Sequence, residues 1–494
     1  MFDFITKKNV HVSVWINGPE YSVAFTVPPN DKDRRTFKPI EWSWAGGVLE
    51  TLSSGETKKS DSPWASDMMV VDNANIPGTF NSSGPVEFFA FVNGKQVRHE
   101  WQDVNSRTGG FGSGTMDRVQ STLIGPDYVV QYTFHESRNF TPHHLYVTLA
   151  PPRAGWMGSV AKQGSPGANN PLGCFVLPAA HNCGMYTIDT VKRIFQAADA
   201  ASISGLLPLL PSFWKLLALP IGSIVSETIR LTSVNQADSI TTQLHMGVRY
   251  FELRASKINP AMMRVANLSS DPPLADTLYF HHNVFPGMPL DGFYDEVVAF
   301  LAQWPEEIVV VYTEISQWSG EHDAVGAKTQ LETWRSNALS AHGSTIAVGT
   351  LQDLRTLTVN QLRTAGKRLI CAYKDECNLN SQFASERHAD TPEAIVKEFE
   401  LTAAQQQPSD DWALLQCQAT LMENDTSRIL AFAARDNVLL KPKASWDPVT
   451  VRWLQQNLTT RFVRSQLVVI MNDFFDMATA DTAIQASTLR FAAA

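Results

Sequence analysis

The chain has 494 residues, 44 % apolar and 18 % charged, with a formal net charge of −9. That length suits two domains with sizeable cores, and the low charged fraction excludes a disordered or coiled-coil chain. The acidic balance argues against a nucleic-acid binder, which needs a basic face, but leaves local contact with a membrane open.

The chain begins Met-Phe-Asp-Phe-Ile-Thr-Lys-Lys, without a basic region followed by an apolar stretch. No secretory signal is therefore expected, and the expected location is cytoplasmic or peripheral to a membrane. Residues 1–150 hold short runs of β-formers, among them Val10–Ile16, Val86–Val92 and Tyr128–Phe134, separated by turn-rich stretches such as Gly109–Gly114. This texture predicts an accessory β-sandwich domain. Trp15, Trp42, Trp44, Trp64 and Trp101 fall here; they suit either the sandwich core or a membrane- or glycan-facing rim. His143-His144 reads as a structural pair in a loop.

A stretch rich in Gly, Ser and Pro, Gln163–Pro171, marks the change to a second domain over 151–494. Apolar runs now alternate with amphipathic stretches. The strand-like runs are Phe175–Pro178, Val248–Leu253, Thr277–Phe280, Ile308–Thr313, Arg368–Ala372, Trp412–Cys417 and Leu467–Met471; the helical ones include Gly292–Gln303 and Thr391–Ala404. Buried strands alternating with helices predict a parallel α/β architecture, and their number predicts a TIM-type barrel. The five cysteines, Cys174, Cys183, Cys371, Cys377 and Cys417, show no zinc spacing and read as reduced thiols, mostly in the core.

Active-site groups of such barrels sit at the C-terminal ends of strands. Four predicted strand ends carry compatible chemistry: His181-Asn182 after Ala180, Glu252 and Arg254 in Gly-Val-Arg-Tyr-Phe-Glu-Leu-Arg, His281-His282 after Phe280, and Asn472-Asp473 after Met471. Two imidazoles permit paired acid–base work near neutral pH. A buried Asp beside one of them would fix its tautomer, and an Arg would grip a phosphate. The set suits cleavage of a phosphodiester by an internal hydroxyl.

The motifs also resemble a known family. Leu177-Pro178-Ala179-Ala180-His181-Asn182-Cys183-Gly184, Gln243–Arg254, Phe293–Leu301 with Trp304–Val311, Trp412–Gln418 and Met471–Phe474 resemble, in order, segments of the X domain of phosphatidylinositol-specific phospholipases C, over about 155–494. The resemblance implies that His181 is the general base, oriented by Asp473, that His282 is the general acid, and that Arg254 holds the phosphate. It implies that Asn182 and Glu252 line the site and that Lys374 contacts inositol. The products would be diacylglycerol and inositol 1,2-cyclic phosphate. Ala179-Ala180 and Cys183 depart from the Gly-Thr and Ser of the family pattern, and Asn283 stands where Gly is usual. His281 is the alternative acid; alternation along a strand favours His282.

In this superfamily a carboxylate two residues after the second-strand acid helps to cage Ca²⁺. Here that position is Arg254, so no metal cofactor is expected; Asn182, Glu252 and Glu314 keep Ca²⁺ as the alternative. Between the first two motifs lies the apolar stretch Ile203–Val225. Pro208, Pro211, Pro220 and Lys215 argue against a membrane span. The stretch suits either a buried helical insertion or an apolar rim, with Leu206, Leu209 and Trp214, that dips into a bilayer. The expected partners are thus an inositol lipid and a membrane surface. The competing reading is an inactive barrel that binds membrane or glycan.

Overall fold

The computed structural model describes residues 7–29, 33–39, 47–60, 62–77, 82–106, 110, 122–136, 142–197, 233–265, 268, 272–282, 285–315, 324–342, 345–382, 391–418 and 440–492. These fall into two units. The described residues of Met1–Pro152, Ala431–Pro448 and Asp476–Asp481 form one; those of Arg153–Leu430, Val449–Phe475 and Thr482–Ala494 form the other.

The first unit is built from β1 (Lys7–Ile16), β2 (Tyr21–Thr26), β3 (Arg34–Pro39), β4 (Val48–Leu52), β5 (Thr57–Ser60), β6 (Trp64–Asp72), β7 (Ser83–Val92), β8 (Lys95–Asn105), β9 (Leu123–Ile124), β10 (Val129–His135) and β11 (His143–Ala150). Alternation shapes these strands: β7 buries every second residue, as a strand with one face on a core must. One sheet has the order β6-β1-β11-β10-β9 and the other β5-β4-β3-β2-β7-β8. Their inner faces meet where the ring of Phe88 lies 5.0 Å from that of Tyr132 and 6.3 Å from that of Phe134. Trp15 and Trp64 are buried in this unit and pack edge-on, whereas Trp101 is 57 % exposed; Trp42 and Trp44 lie outside the described residues. His143 and His144 begin β11 rather than occupying a loop, with His143 fully buried.

The second unit contains β12 (Val176–Ala180), β13 (Tyr250–Ser256), β14 (Tyr279–His282), β15 (Phe285–Pro289), β16 (Val309–Ile315), β17 (Ala347–Gly349), β18 (Lys367–Tyr373), β19 (Leu379–Asn380), β20 (Trp412–Gln416) and β21 (Leu467–Asn472). Eight of them form a path β17-β18-β16-β13-β12-β21-β20-β19 in which every neighbouring pair is parallel. All residues of β12 and β21 are buried, as expected of central parallel strands covered on both faces.

The expected TIM-type barrel is met in part: among the described residues the path from β17 to β19 is a curled parallel half-barrel. Counting apolar runs does not distinguish the two, because closure depends on the terminal strands, which have only three and two residues. The run holding His281 and His282, expected to be parallel, is not. It pairs antiparallel with the end of β13 (Ala255↔Phe280, Ser256↔Tyr279) and forms a hairpin with β15. An apolar run carries no direction, so its sequence alone did not reveal this.

The start of β13 is anchored at the opposite end from the candidate site. The helix Ile240–Met246 is capped by Gly247 at φ 115°, a left-handed conformation that glycine adopts without a steric penalty. Two residues later, Arg249 is fully buried. It donates to the carbonyls of Leu244 and Val248 at 2.9 and 2.7 Å and to that of Ala154, and pairs with Glu307 at 2.7 Å. No helix among the described residues is long and apolar enough to cross a membrane.

Candidate active site

The central position of β12, between β13 and β21, brings the chemical groups together. Parallel register sets Ala180 beside Asn472, so the next residue of each chain segment, His181 and Asp473, emerges at the same end of the sheet. His181 N–H donates to Asn472 O at 3.0 Å. Both segments then turn abruptly: Asn182 and Phe474 have φ of 44° and 45°, in the left-handed region that non-glycine residues occupy at a steric cost. The imidazole Nδ1–H of His181 donates to Asp473 Oδ1 across 2.6 Å in a buried setting. That bond places a proton on Nδ1, because a carboxylate accepts. Nε2 lies 3.2 Å from Asn182 Nδ2 and 3.8 Å from Glu252 Oε2.

Glu252 and Arg254 are two residues apart on β13, and the period of a strand places them on one face. Arg254 Nη2 donates to Glu252 Oε1 at 3.1 Å, and the backbone N–H of Asn182 donates to Glu252 Oε2 at 3.4 Å. Burial pushes the Glu252 carboxyl upward, but Arg254 and, when it is charged, His181 outweigh it and hold the group below its ordinary value. Burial likewise opposes charge on Arg254, yet Glu252 and Glu314 favour it more. Glu314 stands opposite Arg254 in the β13–β16 register and accepts from Lys374 Nζ at 2.7 Å. Lys374 follows β18 directly and is 59 % exposed. Carboxylates and cations thus alternate along neighbouring strand ends.

His282 presents its ring 6.4 Å from that of His181, centroid to centroid, at 81° between planes. His281 is 2 % exposed, whereas His282 is only partly buried. The antiparallel hairpin therefore brings His282 beside the dyad by a route unlike the one expected. Two buried polar atoms of the site, Asn182 Oδ1 and Arg254 Nε, have no hydrogen-bond partner among the described residues. A bound hydroxyl and a bound oxyanion would satisfy them.

Sequence reasoning missed Asn235 and Gln236, both buried. Asn235 Nδ2 donates to Asp473 Oδ1 at 3.1 Å, and Gln236 Nε2 donates to His181 O and Asn472 O at 2.8 and 3.0 Å. Neither lies on a strand or a periodic helix face. The only local signal was a pair of amides shortly before Ser239, which caps the helix Ile240–Met246. Leu206, Leu209 and Trp214 lie outside the described residues.

Among the described residues no group of three or more His, Cys, Asp or Glu side chains is placed to hold a metal ion. Of the donors considered for Ca²⁺, Glu252 Oε1 is engaged by Arg254 and Glu314 Oε1 by Lys374, whereas Asn182 Oδ1 has no partner among the described residues. A hard cation needs several free oxygens at once.

No family model matches the chain, and no curated protein matches it. Solved structures do match it. Phosphatidylinositol-specific phospholipase C from Listeria monocytogenes is similar at 17 % identity and a TM-score of 0.39, over 67 % of this chain and 98 % of that one. A variant of the Staphylococcus aureus phosphatidylinositol-specific phospholipase C is similar at 11 % identity and a TM-score of 0.40, over 67 % and 97 %. A likeness of this size transfers neither an activity nor a residue role.

Proposed function

We propose that the second unit is a phosphodiesterase of the phospholipase C type, which cleaves phosphatidylinositol or a related inositol lipid through the lipid's own 2-hydroxyl. The observation that carries this reading is the pair of imidazoles at adjoining strand ends, one of them bonded to a buried carboxylate at 2.6 Å.

In the proposed reaction His181 Nε2 removes the proton of the inositol 2-hydroxyl, with Asp473 stabilising the imidazolium that forms. The hydroxyl oxygen bonds to phosphorus while the bond to the glycerol oxygen breaks. Arg254 stabilises charge on the non-bridging oxygens. His282 delivers a proton to the departing diacylglycerol oxygen, leaving inositol 1,2-cyclic phosphate. Asn182 and Glu252 line the reacting centre, and Lys374 reaches the inositol hydroxyls. The reading includes independence from metal, because the Arg254 guanidinium supplies positive charge beside Glu252.

The test is release of water-soluble phosphate from phosphatidylinositol vesicles, with and without chelator. Wild type should turn over equally in both. His181→Ala and His282→Ala should each lower kcat by about 10²- to 10⁴-fold. Loss of activity in chelator overturns the metal-free mechanism. A wild type without turnover overturns the enzymatic reading in favour of a binding module.

A further inference from the structure

We propose that Asn235 is a positioning residue of the His181–Asp473 dyad: it orients the Asn182 amide and, through it, keeps Nε2 of His181 unprotonated. This rests on the reading of the site as an acid–base centre.

Asn235 is fully buried, and its backbone is tied on both sides. Its N–H donates to Met185 O at 3.0 Å, and its carbonyl accepts from Phe474 N at 2.6 Å. Its neighbour Gln236 binds backbone groups of both strand ends, His181 O and Asn472 O by its amide nitrogen and Phe475 N–H by its oxygen. That is the ordinary structural use of a buried amide, since most side-chain hydrogen bonds go to backbone or water. Asn235 differs. Nδ2 donates to Asp473 Oδ1 at 3.1 Å, the same oxygen that accepts from His181, and Oδ1 accepts from Asn182 Nδ2 at 3.4 Å. Both side-chain contacts run to groups of the site.

These bonds close a ring. His181 Nδ1–H donates to Asp473, Asn235 Nδ2–H donates to the same carboxylate, and Asn182 Nδ2–H donates to Asn235 Oδ1 and to His181 Nε2. The direction of every bond follows from one fact: a carboxylate only accepts. Asn235 must therefore turn its nitrogen to Asp473 and its oxygen to Asn182. Asn182 must then offer nitrogen, not oxygen, on this side. An amide nitrogen facing Nε2 is compatible only with an unprotonated Nε2, the form a general base needs. The same orientation leaves Asn182 Oδ1 as an acceptor without a partner among the described residues. Without Asn235, Asn182 can rotate its amide and turn its oxygen to Nε2, which favours a second proton there and hence the imidazolium, a form that cannot act as a base.

The variant Asn235→Leu keeps the approximate volume and removes both amide contacts; Asn235→Ala serves if the Leu variant does not fold. The ring nitrogens of His181 are followed by ¹H–¹⁵N NMR, alongside kcat and KM on phosphatidylinositol vesicles. Wild type should show the Nδ1–H tautomer alone. The variants should show a mixture with the imidazolium, with kcat lowered by about 10- to 100-fold and KM little changed. Unchanged protonation of Nε2 in an active variant overturns the proposal, as does a kcat that falls only in step with stability. Two readouts need no variant. The Asn235 side-chain amide should show a scalar or through-space coupling to Asp473 and Asn182 in wild type, and absence of both couplings overturns the proposal. If wild type has no turnover but protonation of Nε2 still depends on Asn235, the phosphodiesterase reading fails and the positioning role stands.

Discussion

Glu252 is held ionised against its surroundings. It is 5 % exposed, and burial alone would raise its carboxyl, but Arg254 and, when it is charged, His181 reverse the outcome. A carboxyl whose folded value lies below its unfolded value adds stability above the unfolded value, and that contribution is lost as pH falls through the folded one. Arg254→Met removes the largest opposing influence and leaves a buried carboxylate without its ion partner. The expected cost at pH 7 is about 2 kcal/mol, at the low end for a broken buried pair because Arg254 is partly exposed. The gap between wild type and variant should close as pH falls through the lowered folded value of Glu252, below the ordinary ~4.3, where the carboxyl becomes protonated in folded and unfolded chains alike. Urea unfolding at the two pH values measures this; an equal gap at both would show that Arg254 acts by packing rather than by charge.

Arg249 and Glu307 do for the foundation of β13 what Arg254 and Glu252 do at its mouth. Glu307 bonds to Arg249 Nε at 2.8 Å and also accepts the backbone N–H groups of Met157 and Gly158 at 3.3 and 3.0 Å, so one carboxylate ties β13 to the helix Trp156–Val160. Glu307→Gln leaves a fully buried guanidinium without its counter-charge. The expected loss is about 3 kcal/mol in chemical unfolding, and a loss below about 0.5 kcal/mol, the usual size of a surface change, would refute the anchoring role. These elements also explain what the sequence could and could not reveal. His181, Glu252, Arg254 and Asp473 were legible because each sits at or near the end of an apolar run, and such ends converge in a parallel sheet. The direction of β14 was not legible, because Tyr279–His282 reads the same either way. Asn235 was not legible because its role comes from two side-chain bonds across long sequence separations, which no local period records.

At the scale of the molecule, the texture of residues 1–150 agrees with the β sheets found there and the alternating runs after them with a parallel sheet, whereas closure of that sheet lay beyond any count of strands. The remaining requirement of the proposed function is access to a lipid. The chain carries a net charge of −9, which would repel an anionic bilayer, so attachment is expected through apolar side chains rather than a basic patch. By sequence, Ile203–Val225, which lies outside the described residues, is the candidate for such contact, and its three prolines and Lys215 argue against a span. Replacing Leu206, Leu209 and Trp214 together by Ser removes side chains worth about 1.5–3 kcal/mol each when fully buried. Even partial insertion then predicts vesicle binding weaker by about 10²-fold or more. Turnover of a soluble short-chain inositol phosphodiester should be unchanged, and wild-type binding should persist in high salt, which screens charge but not apolar contact. Parallel loss of binding and soluble turnover would place these residues in the core instead, and wild-type binding abolished by salt would return the contact to electrostatics.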